Sequence, residues 1–66
     1  MEKTFDTSYG VVTLKTFFDV DYDTEGYEVY VDGDYVEGDF ISYNDISLDD
    51  EEKTLKFLNN WLEANY

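Results

Sequence analysis

Between Asp19 and Glu52 the chain carries fourteen carboxylates and no Lys, Arg or His; the nearest bases are Lys15 and Lys53. Any fold must place this charge where it can be solvated, because like charges set together oppose compaction. The same stretch holds Tyr22, Tyr27, Tyr30, Tyr35, Phe40 and Tyr43, with Phe17 and Phe18 just ahead of it. High net charge alone is a signature of disorder. Here 42% of the 66 residues are apolar and 20% aromatic, enough for one small core.

Period-two alternation supplies the first elements. Lys3 to Thr7 reads as a short strand closed by a turn at Ser8-Tyr9-Gly10. Val11 to Tyr22 reads as a long second strand, with Val12, Leu14, Phe18, Val20 and Tyr22 on its apolar face. Asp23-Thr24-Glu25-Gly26 is a turn. Tyr27 to Val31 and Tyr35 to Ile41 are strands joined through Asp32-Gly33-Asp34, and Asp-Gly between alternating runs is a strong hairpin signal. Regular alternation points Tyr27, Val29, Val31, Val36 and Phe40 to one face. It points Glu28, Tyr30, Tyr35, Glu37, Asp39 and Ile41 to the other.

Ser47 then opens a helix, with Asp49 to Glu52 at the end where the helix dipole favours negative charge. Leu48, Leu55, Leu58, Leu62 and Tyr66 share a stripe, Trp61 lies beside it, and Phe57 falls nearly opposite. The expected fold is α+β: a single domain over 1–66, with an antiparallel meander of three to four strands within 3–41 and one helix, 48–65, on one sheet face.

The open face then carries Asp19, Asp21, Glu28, Glu37 and Asp39 with Phe17, Tyr30, Tyr35 and Ile41. Glu28 lies opposite Glu37 or Asp39, depending on hairpin register, and such like-charge pairs are destabilising. Alternate residues on a strand face stand about 6.6–6.8 Å apart, so Asp19, Asp21 and Asp23 can imitate a run of backbone phosphates. The helix start adds Asp49 and Asp50. Tyrosines among them are low-entropy anchors that stack on arginine. The expected partner-binding set is therefore Asp19, Asp21, Asp23, Glu28, Tyr30, Tyr35, Glu37, Asp39, Asp49 and Asp50. A net charge of −13 argues against nucleic acid or an anionic membrane as the direct partner and for a cationic protein. Solubility accounts for a charge of about −8 on a small domain, so the excess calls for another reason. A solvated acidic structural domain is the plainer alternative.

A weaker ion-binding alternative sits on the segment from Asp21 to Asp32. Acids at its first, third, fifth and twelfth positions (Asp21, Asp23, Glu25, Asp32) and Gly26 at its sixth partly fit a calcium loop. The acids at its fifth and twelfth positions are of the wrong type, Glu28 stands at the usually apolar eighth, and the flanks read as strands. Catalysis has little to work with: there is no Cys or His, no phosphate-binding glycine loop and no G-x-S-x-G. No cofactor is expected. The opening MEKTF has no apolar signal core, and no run approaches spanning length, so a cytoplasmic protein is expected.

Small size, strong acidity, β-rich character and absence of Cys together resemble a functional class. The class is the DNA-mimic inhibitors of phages and mobile elements: anti-CRISPR proteins, anti-restriction proteins and uracil-DNA glycosylase inhibitors. The resemblance covers the whole chain in size and charge and rests on no motif. It implies a non-enzymatic inhibitor, monomeric or homodimeric, active in the host cytoplasm. Its implied partner is a basic nucleic-acid-binding protein: a CRISPR effector, a restriction enzyme or a DNA repair enzyme.

Overall fold

The computed structural model describes residues 2–66. Four strands, β1 (Glu2–Thr7), β2 (Gly10–Asp19), β3 (Thr24–Val31) and β4 (Asp34–Ser42), precede one helix, α1 (Glu51–Asn65). The strands pair antiparallel in the order β1-β2-β3-β4, a meander with the helix packed on one face. The α+β architecture read from the alternation is the architecture observed.

Two tight turns fix the registers. Thr7 pairs with Gly10 across Ser8-Tyr9, and Val31 pairs with Asp34 across Asp32-Gly33. Asp32 (φ 50°) and Gly33 (φ 90°) both take positive φ, as a two-residue hairpin loop of primed type requires. The Asp32 carboxylate also accepts from Val11 N (3.0 Å), and Asp32 N donates to the Val11 carbonyl (2.8 Å). The second turn is thereby tied to the strand that leaves the first.

The core is Phe5, Val12, Leu14, Val29, Val31, Val36 and Ile41 from the sheet, Ile46 from the connection, and Leu58, Trp61 and Leu62 from the helix. Burial of each stabilises by about 1.5–3 kcal/mol. Thr54 is fully buried in the first turn of the helix, where its hydroxyl donates to the Ser47 carbonyl. That bond lets a polar residue sit where the apolar stripe would demand a leucine.

The helix starts later than the sequence suggests. Ser47 does not open it; Asp50 is the N-cap, its carboxylate accepting from Lys53 N (3.1 Å), and Leu48 and Asp49 form a preceding turn. Phe57 is half-buried against the core rather than opposite it, because the buried face centres on Thr54, Leu58 and Trp61 and so reaches Phe57 at its flank. Tyr66 stays exposed, its ring edge-to-face with Tyr9 (5.9 Å).

Two further differences shape the surface. First, β2 ends at Asp19, and residues 20–23 form the turn to β3. Phe18, Val20 and Tyr22, expected on the buried face, are 51%, 77% and 78% exposed. The alternation is real as far as Leu14; beyond it the chain runs past the helix that would cover it. Second, β4 is bulged. Tyr27 pairs with Ile41 and Val29 with Val36, so two steps on β3 face five on β4. An odd number of extra residues reverses the faces. Ile41 is therefore fully buried, and Phe40 is exposed, meeting Phe17 edge-on at 5.6 Å.

Helix α1 holds the bulge in place. Trp61 Nε1 donates to the Asp39 carbonyl (3.1 Å), and Asp39 N donates to the Asn65 side-chain oxygen (3.4 Å). Gly38 is required there, since a Cβ would stand 2.8 Å from Trp61 and from the Asn65 amide. On the other side of the ladder Gly26 lets the Phe40 ring lie close; a Cβ at Gly26 would stand 2.5 Å from it.

Candidate functional site

The uncovered sheet face begins with small polar and charged residues of β1 and β2. Its centre is aromatic. Tyr30 and Tyr35 are cross-strand partners with ring centroids 5.5 Å apart, and Lys15 Nζ lies 4.6 Å from the Tyr30 centroid. Phe17 and Phe40 form the second pair, towards the β2–β3 turn. Tilted and edge-on pairs of this kind stabilise exposed sheet surface and also provide flat faces for stacking.

The acids do not oppose one another across the ladders. Lys15 stands between Glu2 on β1 and Glu28 on β3 in the register, and its ammonium is 3.8 Å from the Glu2 carboxylate. Asp19 pairs with Thr24, Glu25 with Phe18, Asp6 with Val11 and Asp34 with Val31. The expected pairing of Glu28 with Glu37 or Asp39 is absent, because the bulge intervenes where a regular ladder would continue from Val29 and Val36 to Glu28 and Glu37.

The structure distributes the sequence-predicted partner residues over three places. Asp19, Glu28, Tyr30 and Tyr35 share the open face or its edge, with Glu37 and Asp39 in the adjoining bulge. Asp21 and Asp23 lie in the β2–β3 turn beyond the strand, where Asp21 N donates to Asp19 Oδ1 (3.0 Å) and Asp23 has φ 51°. The regular phosphate-like spacing along one strand therefore does not hold past Asp19. Asp49 and Asp50 precede the helix in the other layer, where Asp50 is occupied as the cap, so they do not join the open face.

The calcium-loop alternative is not formed. Thr24–Val31 is strand β3, so Asp32 stands at the opposite end of that strand from Asp21 and Asp23. Eight strand residues at about 3.3 Å each place it far beyond any shared coordination sphere. Asp32 acts instead as the turn lock described above. Among the described residues, no group of three or more Asp or Glu is placed to hold a metal ion, and no helix is long and apolar enough to cross a membrane.

The alternation pattern does not register the apolar end of the molecule. Phe18, Val20 and Tyr22 project from the β2–β3 end, and Tyr27 packs on Tyr43 at 4.9 Å nearby in the register. Burial raises the Tyr27 phenol above its ordinary value of 10.0, and the neighbouring Tyr43 raises it further. The signal that could have placed these aromatics outside is length: a fifteen-residue helix spans about 22 Å, too short to cover every strand to its tip.

A scan against protein-family models and searches of curated proteins and of solved structures find no match to this chain.

Proposed function

We propose that the chain is a stoichiometric protein inhibitor that occupies the basic nucleic-acid groove of a host defence nuclease, a CRISPR effector first among the candidates, and excludes DNA. The observation that carries this reading is the excess of fixed, unneutralised negative charge. Seventeen acids face four bases, and the two ion pairs among the described residues are Lys15–Glu2 and Lys53–Asp50. A groove lined by Lys and Arg meets such a surface as it meets phosphates.

Ladder repulsion lends no support, since no acid faces an acid in the strand pairs. What supports the reading is the display: Asp19, Asp21, Asp23 and Glu25 gather at one end around exposed Phe18, Val20 and Tyr22. Apolar anchors ringed by charge give an interface contact area and a preferred partner sign. The mechanism is competition for a surface, with no chemical step.

The test measures binding of a labelled target duplex to a guide-loaded CRISPR effector while this protein is titrated in. A restriction enzyme and a uracil-DNA glycosylase serve as parallel arms. Displacement that saturates near one inhibitor per nuclease and weakens as salt is raised is the expected result. If the duplex stays bound in all three arms at low salt, the reading is wrong.

A further inference from the structure

The bulge does more than reverse two side chains. Where β4 leaves β3, a cavity of about 130 Å³ opens. Its walls include Phe17, Tyr35, Phe40 and Trp61, and its acids are Glu28 and Asp39. No base lines it. Glu28 is half-buried, and its carboxylate has no hydrogen bond or ion pair among the described residues. Its register partner Lys15 is engaged with Glu2 and the Tyr30 ring instead.

We infer that this slot receives an arginine side chain from the basic partner, with the guanidinium stacked on the aromatic walls and paired with Glu28. This rests on the proposed reading that the partner is a basic protein, and it names how that partner is gripped. Aromatic faces attract a cation, and a carboxylate offers two parallel acceptors to the guanidinium fork. Lysine suits the slot less well, because an ammonium is more strongly hydrated and lacks the planar fork. An apolar side chain would desolvate Glu28 with nothing in return, and a phosphate would be repelled. A second copy of this chain is excluded as the donor, since the sequence contains no arginine.

Trp61 is the single tryptophan and lines the cavity, so its fluorescence and its indole N–H resonance respond to what enters it. The experiment titrates the full chain with hexa-arginine and, separately, hexa-lysine, at about 150 mM salt to screen general attraction. Hexa-arginine is expected to shift the Trp61 signals saturably, with the Gly38 and Phe40 amides moving together. Hexa-lysine should leave those signals in place while perturbing the Asp19–Glu25 turn. Glu28→Gln keeps the shape of the side chain and should weaken the arginine response about tenfold or more. Equal Trp61 responses to the two peptides, or undiminished arginine binding by Glu28→Gln, would overturn the inference. Its failure is separable from that of the inhibitor reading. Loss of the arginine preference with DNA displacement intact removes the slot alone, and a slot that binds arginine without any nuclease losing DNA removes the inhibitor reading alone.

Discussion

Replacing Ile41 and Phe40, one at a time, by threonine decides whether the bulge in β4 exists in solution. In a regular hairpin Phe40 is the core residue and Ile41 faces water; in the structure Ile41 is 0% and Phe40 46% exposed. Ile41→Thr removes buried apolar volume and places a hydroxyl among Val, Leu and Ile side chains. The lost packing costs about 1 kcal/mol and the unpaired hydroxyl about 1–3 more, or about 2–4 together. Phe40→Thr removes a ring already half in water. It forfeits the contact with Phe17, about 0.5–1.5 kcal/mol, and loses no strand preference, since Phe and Thr both favour strands, so its net cost is about 1 kcal/mol.

A domain of this length has a total stability of about 3–10 kcal/mol, and its urea dependence is about 1 kcal/mol per molar. Urea unfolding followed by Trp61 fluorescence should therefore lower the midpoint by about 2–4 M for Ile41→Thr, or leave that variant unfolded in water, and by about 1 M for Phe40→Thr. A double-mutant cycle adding Phe17→Thr should show coupling of about 0.5–1.5 kcal/mol with Phe40 and none with Ile41. A larger loss from Phe40→Thr than from Ile41→Thr would refute the bulge, and with it the slot built on it.

Two further outcomes test other parts of the structure. Asp32→Ala loses the bond to Val11 N and puts alanine at φ 50°, so it should cost about 1–2 kcal/mol in thermal or urea unfolding, whereas Asp32→Asn, which tolerates that conformation and makes a similar bond, should cost little. Because the Tyr27 phenol is raised from 10.0, chiefly by burial and then by Tyr43, the folded chain holds its proton more tightly than the unfolded one. Stability should be full below pH 10 and fall as the pH climbs through the folded value; unfolding midpoints measured against pH should fall less steeply for Tyr27→Phe than for the parent.

The parts of the fold legible in the sequence are those governed by local rules. Alternation in Val12, Leu14, Val29 and Val31, and the Asp32-Gly33 turn, suffice for the strands and their order. The helix position follows from Leu58, Trp61 and Leu62. What escaped local reading depends on distant partners. Nothing near Phe40 in sequence says that Trp61 and Asn65 will draw the Asp39 backbone towards the helix, yet that contact decides which of Phe40 and Ile41 is buried. Gly38 was the available sign, because glycine inside a strand pattern marks a bulge or a close approach. The candidate site suffered in the same way. Parity puts Asp19, Glu28, Tyr30 and Tyr35 on or beside the open face, as the register does, while only composition joins Asp49 and Asp50 to it, and the fold puts a whole layer between.

The disposition of charge explains how a chain at −13 can fold. In a sheet, repulsion is strongest between direct cross-strand neighbours and weaker between residues at strand ends, where water screens them. Every strand-pair partner of an acid here is neutral or is Lys15, and the densest acids lie in turns or at the helix start. The one place where regular pairing would have set acid against acid, Glu28 against Glu37, is the place where β4 bulges. The bulge thus removes a repulsive pair, buries Ile41 and leaves Glu28 half-buried, with no ion pair among the described residues, beside an aromatic-walled cavity. Relief of repulsion from Glu37 alone would have been met by a threonine at position 28, with a regular strand opposite; a lysine there would face Lys15 across the β2–β3 ladder. A carboxylate at that position faces Lys15 across β2–β3 on one side and the aromatic-walled cavity on the other, and the proposed arginine contact would use the second side.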